Sequence, residues 1–223
     1  MAQETRNLTG KKLVVFDFDG TLADSMPGIV RTARKVMHEH GWSDEDLGDM
    51  RRIVGPPFPQ AFTLVYGVDE DEAMRITEDY RAIYKTLGRD GWPLFDGMEE
   101  LLRDLKAAGK LLGTASSKMQ MLLHRGLETN GVLGLFDSAL AKTKDDGDTK
   151  AQILGRVLEE LGVDASDAVM VGDRRFDVEA AAENGVDCIG VLYGNTAPRS
   201  ELVEAGAVSV VDTVDELRHV LLG

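Results

Sequence analysis

The first residues with the makings of chemistry stand in "KLVVFDFDGTLADS", Lys12 to Ser25, where four apolar residues, Leu13 to Phe16, run into Asp17 and Asp19. Side chains alternate along a strand, so both carboxylates point the same way if strand geometry persists through Phe18. Like charges at the end of a buried strand repel unless a cation lies between them. Oxygen donors of this kind suit Mg2+, which is held by one or two carboxylates and keeps several waters. Gly20 then allows a tight turn and Thr21 supplies a hydroxyl. The design recurs in "AVMVGDRRFDV", where the apolar run Ala168 to Val171 ends at Gly172 and is followed by Asp173 and Asp177. One such aspartate alone is most often a helix N-cap. Two strands ending this way point to a shared metal.

Two more segments fit the same place. In "LLGTASSKMQ", Ser117 and Gln120 have capping-box spacing, so Ser117 reads as a helix cap and Ser116 as free to meet a ligand oxygen. The segment can also be registered with Thr114 in that role. In "GDTKAQIL", Thr149 and Gln152 form a second capping box and place Lys150 in the first helical turn, where a cation opposes the helix dipole. A broken local rule hints at function, here neutralisation of an anion at the metal. The plain alternative is an exposed lysine.

The elements that must position these residues are strands alternating with amphipathic helices. The apolar runs are Leu13–Phe16, Leu111–Ala115, Ser138–Ala141, Ala168–Val171, Cys188–Leu192 and Val208–Val211. Between them, Met98, Leu101, Leu102, Leu105 and Ala108 mark one helix face, and Ile153, Leu154, Val157, Leu158 and Leu161 another. This predicts an α/β fold, a Rossmann-like parallel sheet flanked by helices. Its ligands belong beyond the carboxyl ends of the strands. Between Asp24 and Trp92 there is no strand signal. Ile29, Ala33, Val36 and Met37 share one helical face, and Ala73, Ile76, Tyr80 and Ile83 another, with a proline-rich break at "GPPFPQ". The expectation is a helical cap over 25–92 inserted after the first strand, with the core formed by 1–24 and 93–223. The alternative is one larger core with extra helices and no lid.

Composition limits the partners. The chain has 223 residues and a formal net charge of −14, which argues against nucleic acid and anionic membrane. An anionic substrate would therefore need local cations. No apolar run approaches the roughly 18 residues that cross a bilayer. The first ten residues, "MAQETRNLTG", lack the layout of a secretory signal and read as a short frayed leader. The single cysteine, Cys188, sits in an apolar run and reads as inert core, with a cytoplasmic location the default.

Taken together, "DFDGTLADS", Ser116, Lys150 and "GDRRFD" resemble the four ordered motifs of the haloacid dehalogenase superfamily, most closely its phosphoglycolate phosphatase-like branch with a helical cap. The resemblance runs from about Lys12 onward. It implies a Mg2+-dependent phosphatase of a small phosphomonoester. Asp17 would be the nucleophile that forms an aspartyl-phosphate, and Asp19 the acid and then the base. Asp17, the backbone carbonyl of Asp19, and Asp173 would hold the metal, with Asp177 orienting. Ser116 and Lys150 would hold phosphoryl oxygens, beside Gly20, Thr21 and Ser117. The branch often places a proline after the third-motif lysine, and "KAQIL" has none.

In the cap, "RRIVGPPFPQAF" is the candidate specificity loop, with Arg51 or Arg52 reaching a substrate carboxylate; equally, both arginines are solvated. Arg174 and Arg175, beside Asp173, either contact substrate or are exposed helix residues, the second being the preferred reading. The same motifs also serve a β-phosphoglucomutase-like phosphomutase, a 5'-nucleotidase or a pyrophosphatase, and a non-catalytic binding module remains a different class of reading. Either a monomer or a homodimer is compatible with the sequence.

Overall fold

The structure, a computed structural model, describes residues 8–144 and 147–223. The chain divides into two compact units: residues 1–24 with 94–223, and residues 25–93. Of the leader expected over residues 1–10, residues 1–7 lie outside the described part. Leu8 is already anchored, since it is buried and its N–H donates to Val220 O at 3.0 Å.

The first unit is built on six parallel strands: β1 (Leu13–Phe16), β2 (Leu111–Met119), β3 (Ser138–Lys142), β4 (Ala168–Gly172), β5 (Asp187–Val191) and β6 (Ser209–Val211). Their order is β3-β2-β1-β4-β5-β6. Strand β1 is central, paired in parallel with β2 on one side and β4 on the other. The order reverses there, so the crevice beyond its carboxyl end is where this topology gathers ligands. All four residues of β1 and all five of β4 are buried, as strands covered on both faces require.

The second unit holds α1 (Met26–Glu39), α2 (Asp44–Leu47), α3 (Gln60–Tyr66) and α4 (Glu70–Tyr84), with no strand. Helix α1 buries Ile29, Ala33, Val36 and Met37. Helix α4 buries Ala73, Ile76, Tyr80 and Tyr84, so Tyr84 takes the place expected for Ile83. Of the proline-rich break, residues 55–59 are not helical, whereas Gln60 already opens α3. Phe62, Phe58, Tyr80, Tyr84 and Trp92 form a continuous run of ring contacts at 4.7–5.0 Å between centroids, which supplies much of this small unit's core.

The sheet is flanked by α5 (Met98–Ala107), α6 (Gln120–Thr129), α7 (Lys150–Leu161), α8 (Arg175–Glu183), α9 (Arg199–Ala205) and α10 (Val214–Leu222). On one face Ile153, Leu154 and Val157 of α7 and Val178 and Ala181 of α8 pack on Leu13, Val15 and Met170. Cys188 belongs to the same cluster, and burial pushes its thiol well above the ordinary range, so it behaves as core. The capping box of α7 is formed: Thr149 Oγ1 accepts from Gln152 N–H, and the Gln152 side chain accepts from Thr149 N–H.

The second expected capping box is not formed. Strand β2 runs four residues past Ala115, and α6 starts at Gln120 behind Met119, which offers no cap. Ser117 is therefore a strand residue. The physical reason lies in Gln120, whose side chain bridges to β3: its Oε1 accepts from Ala141 N–H at 2.6 Å and its Nε2 donates to Ala139 O at 2.7 Å. A side chain spent on the neighbouring strand is not available to reach back. The extension of β2 is irregular, with a register shift against β3 between Ser116 and Met119.

Candidate active site

Three strand ends and two helix starts supply the site. Asp17 follows β1, Ser116 lies in the end of β2, Asp173 follows β4, Asp177 lies in the first turn of α8, and Lys150 opens α7. Asp17, Asp173 and Asp177 are buried, and one ligand oxygen from each lies within 4.8 Å of the others. Lys150 Nζ sits between two of them, 2.9 Å from Asp17 Oδ2 and 2.6 Å from Asp177 Oδ1. The lysine that opposed its own helix dipole is thus held by two carboxylates, which outweigh both the dipole and desolvation. Burial opposes its charge, yet Asp17 and Asp177 raise Lys150 above its ordinary value and keep it protonated.

Asp177 also accepts from Arg174 N–H at 3.0 Å through Oδ2, so it locks the start of α8 as well as Lys150. Asp173 Oδ1 accepts from Thr21 Oγ1 at 3.1 Å. Burial, and then the charges of Asp177 and Asp17, push Asp173 up to about 8. Burial first, and Asp17 second among the groups acting upward, also raise Asp177. Three carboxylates against one ammonium leave a local excess of two negative charges when all are ionised. Asp17 Oδ1 is buried with no hydrogen-bond partner. An orphaned carboxylate oxygen is costly in a dry site. A divalent cation bound by oxygen donors would satisfy it and balance the charge, so the residues present fit Mg2+.

Asp19 stands apart from that cluster. Its two oxygens accept from Lys118 Nζ at 2.8 and 3.0 Å. The paired aspartates are thus compensated separately: Lys150 neutralises Asp17, and Lys118 neutralises Asp19. Lys118 was absent from the candidates read in the sequence. Its only signal was an ionisable residue in a stretch assigned to a helix start, and the unforeseen extension of β2 is what brings it inward. Gly20 has φ of +77°, and a Cβ there would come within 2.3 Å of Asp173 Oδ2, so the turn depends on glycine twice over.

Among the two candidate hydroxyls, Thr114 Oγ1 donates to Leu140 O at 2.9 Å and so ties β2 to β3. Ser116 is buried and its Oγ accepts from Lys118 N–H at 3.3 Å. Ser117 is half-buried on the β2 extension. Arg174 Nε donates to Glu201 at 2.9 Å, while Arg175 is exposed with its guanidinium 5.0 Å from the centre of the Phe176 ring. Arg51 and Arg52 belong to the helical unit, in a short 3-10 turn, and both are exposed; Arg51 grips Asp49 through Nε and a terminal nitrogen at 2.9 and 2.7 Å. A second loop, after β5, braces the site: Tyr193 Oη donates to Thr21 O at 2.8 Å. No helix among the described residues is long and apolar enough to cross a membrane.

Residues 14–191 match the family model described as haloacid dehalogenase-like hydrolase. A 5'-nucleotidase of Pseudomonas aeruginosa is 33% identical over 186 residues, 81% of this chain and 82% of that protein. Tyrosine-protein kinase PtkA of Mycobacterium tuberculosis is 36% identical over 94% of this chain and 72% of its own. A phosphoglycolate phosphatase of Rhodospirillum rubrum is 31% identical over 90% of this chain and 87% of its own. Among solved structures, one described as a predicted phosphatase from Clostridium acetobutylicum superposes with a TM-score of 0.85 at 35% identity, covering 93% of this chain and 96% of that one.

Proposed function

Because the chain belongs to the haloacid dehalogenase-like hydrolases and acts on phosphoesters, we propose that it is a Mg2+-dependent phosphatase of a small phosphomonoester, working through an aspartyl-phosphate on Asp17. The observation that carries this reading is Asp17 itself: one oxygen is held by Lys150 and the other is buried without a partner. Lys150 fixes the carboxylate through Oδ2 and leaves Oδ1 to meet metal or phosphorus.

Asp17 attacks phosphorus as the nucleophile, and the bond to the leaving oxygen breaks. Asp19 gives that oxygen its proton and later takes one from the water that hydrolyses the aspartyl-phosphate, returning phosphate and free Asp17. Splitting one displacement into two is the gain from covalent catalysis, and a positioned acid or base adds on the order of 10²–10⁴. Asp17, Asp173 and the backbone carbonyl of Asp19 would hold Mg2+, with Asp177 orienting, and the ion would supply positive charge opposite the phosphoryl oxygens. Lys150 and the Ser116 hydroxyl are the protein's own donors to those oxygens. Ser116 is preferred to Thr114 because Thr114 is committed to Leu140. Gly20, Thr21 and Ser117 line the same edge.

The helical unit is proposed as the cap that selects the substrate, with Arg51 and Arg52 its candidate contacts, in a cytoplasmic enzyme. The relative named a phosphoglycolate phosphatase favours phosphoglycolate as that substrate, and the one named a 5'-nucleotidase favours a nucleoside monophosphate as the second reading. Acid quench during turnover followed by peptide mass spectrometry tests the covalent step. Phosphate on the peptide bearing Asp17, and its loss in Asp17→Asn, is the expected result. Phosphate on a different residue would overturn the assignment.

A further inference from the structure

We infer that Lys118 is the positioning residue for Asp19, holding the acid–base carboxylate in its working orientation; the inference rests on the proposed role of Asp19. The ammonium reaches both Asp19 oxygens, at 2.8 and 3.0 Å, which fixes the plane of the carboxylate as well as its place. The Lys118 side chain is only 5% exposed and that of Asp19 is 23% exposed, so water competes little for the contact. A lysine has four rotatable bonds and holds nothing still unless it is itself held. Here three features hold it.

The first is the backbone. Lys118 lies on the irregular extension of β2, and its N–H donates to Ser116 Oγ at 3.3 Å. One residue therefore touches both the candidate phosphate-binding hydroxyl and the candidate acid. The second is Phe18, whose ring centre lies 5.3 Å from Nζ, in reach of a cation–π contact. Phe18 is fully buried between the two aspartates in sequence, so the ring that separates them also carries the cation that orients one of them. The third is Gly126 in α6. A Cβ at that position would lie 2.4 Å from Phe18 Cζ, so the ring fits only because the helix has no side chain there. Gly126, Phe18, Lys118 and Asp19 form one chain of contacts from α6 to the site.

Positioning of this kind has a signature that a merely structural ion pair lacks. A misplacement of about 1 Å in a catalytic group costs roughly 100-fold. The loss should depend on how much the leaving group needs a proton. An alkyl phosphate expels a poor leaving group and needs the acid; p-nitrophenyl phosphate expels a good one and needs it little. The ratio kcat/KM reads through phosphoryl transfer to Asp17 and not through the later hydrolysis.

The experiment uses the full chain with Mg2+ and compares wild type, Lys118→Met, Lys118→Arg and Asp19→Asn on both esters. Lys118→Met keeps the apolar stem over Phe18 and removes only the cation. The expected result is a kcat/KM loss of roughly 10- to 100-fold on the alkyl ester and under about 5-fold on the aryl ester. Arginine restores most of it. Lys118→Met added to Asp19→Asn costs nothing further, because a residue that acts through another has no effect once that one is gone. Gly126→Ala, which displaces Phe18, produces the same ester dependence in weaker form. Equal losses on the two esters, or an additive double mutant, would overturn the inference. Full activity of Asp19→Asn on the alkyl ester would instead remove the acid–base role of Asp19 and this inference with it, and the single variant identifies that case.

Discussion

The sheet unit and the helical unit both carry paired charges, but they hold them differently. At the carboxyl edge of the sheet, Lys150 is 10% exposed and its partners Asp17 and Asp177 are 10% and 0% exposed. In the helical unit Arg51 and Asp49 are 62% and 49% exposed and two residues apart. A buried ion removed from its partner leaves the other uncompensated, at a cost of about 3–5 kcal/mol. An exposed pair is worth at most about 1 kcal/mol. The candidate site for chemistry and the proposed surface for recognition are therefore distinguishable by what happens when one charge is deleted. An intermediate case in the helical unit is His40, whose two ring nitrogens meet Glu72 at 2.7 Å and Asp79 at 2.9 Å.

The largest expected effect is that of Asp17→Asn, which should lower phosphate release by about 10⁴-fold or more with the fold retained, checked by steady-state kinetics and circular dichroism. Retained turnover would move the nucleophile elsewhere. Lys150→Met should follow, with a loss of about 10²–10³ in kcat. It strands Asp17 and Asp177 without their cation, so the melting temperature of the metal-free protein should fall as well.

A third expectation separates the units by pH. Asp173 is raised, to about 8, so its stabilising share is complete below the unfolded carboxylate range and is lost as pH rises toward and through 8. His40 is also raised, first by its hydrogen bond to Asp79 and then by that to Glu72; its share is complete below about 6.5 and is lost as pH rises through the raised value. Both units of the metal-free protein therefore weaken with rising pH. Only the sheet unit should recover with Mg2+, so the melting-temperature gain from Mg2+ should be larger at pH 8 than at pH 6. An equal gain at both pH values would remove Asp173 from the metal set. His40→Gln should cost at most about 1 kcal/mol at pH 6 and less as pH rises, read by chemical denaturation.

The smallest effect belongs to Arg51→Ala, expected within about 0.5 kcal/mol in stability. Its kcat/KM should change only for substrates that carry a second anionic group. A loss shared by all substrates would place Arg51 in the phosphate site itself.

Much of this was legible in the sequence because the sheet is buried on both faces. Leu13–Phe16 and Ala168–Val171 are unbroken apolar runs, and the abrupt charge after each marks the strand's carboxyl end. Lys150 was legible for the opposite reason, as a residue wrong for its local place. Lys118 was not, because "SSKMQ" fits a capping box by spacing alone, and only the cross-strand bonds of Gln120 to β3 decide against it. Long-range hydrogen bonds of that sort leave no local pattern. The leader was misjudged at Leu8 likewise, since its anchor is Val220, more than two hundred residues away.

The central claim is most directly tested by phosphate release across small phosphoesters, including phosphoglycolate, nucleoside monophosphates and hexose phosphates, with Mg2+ and with EDTA. The account predicts turnover of at least one of them with Mg2+, abolished by EDTA and restored by added Mg2+. Hydrolysis that persists undiminished in EDTA would contradict the assignment of the buried carboxylates to a metal.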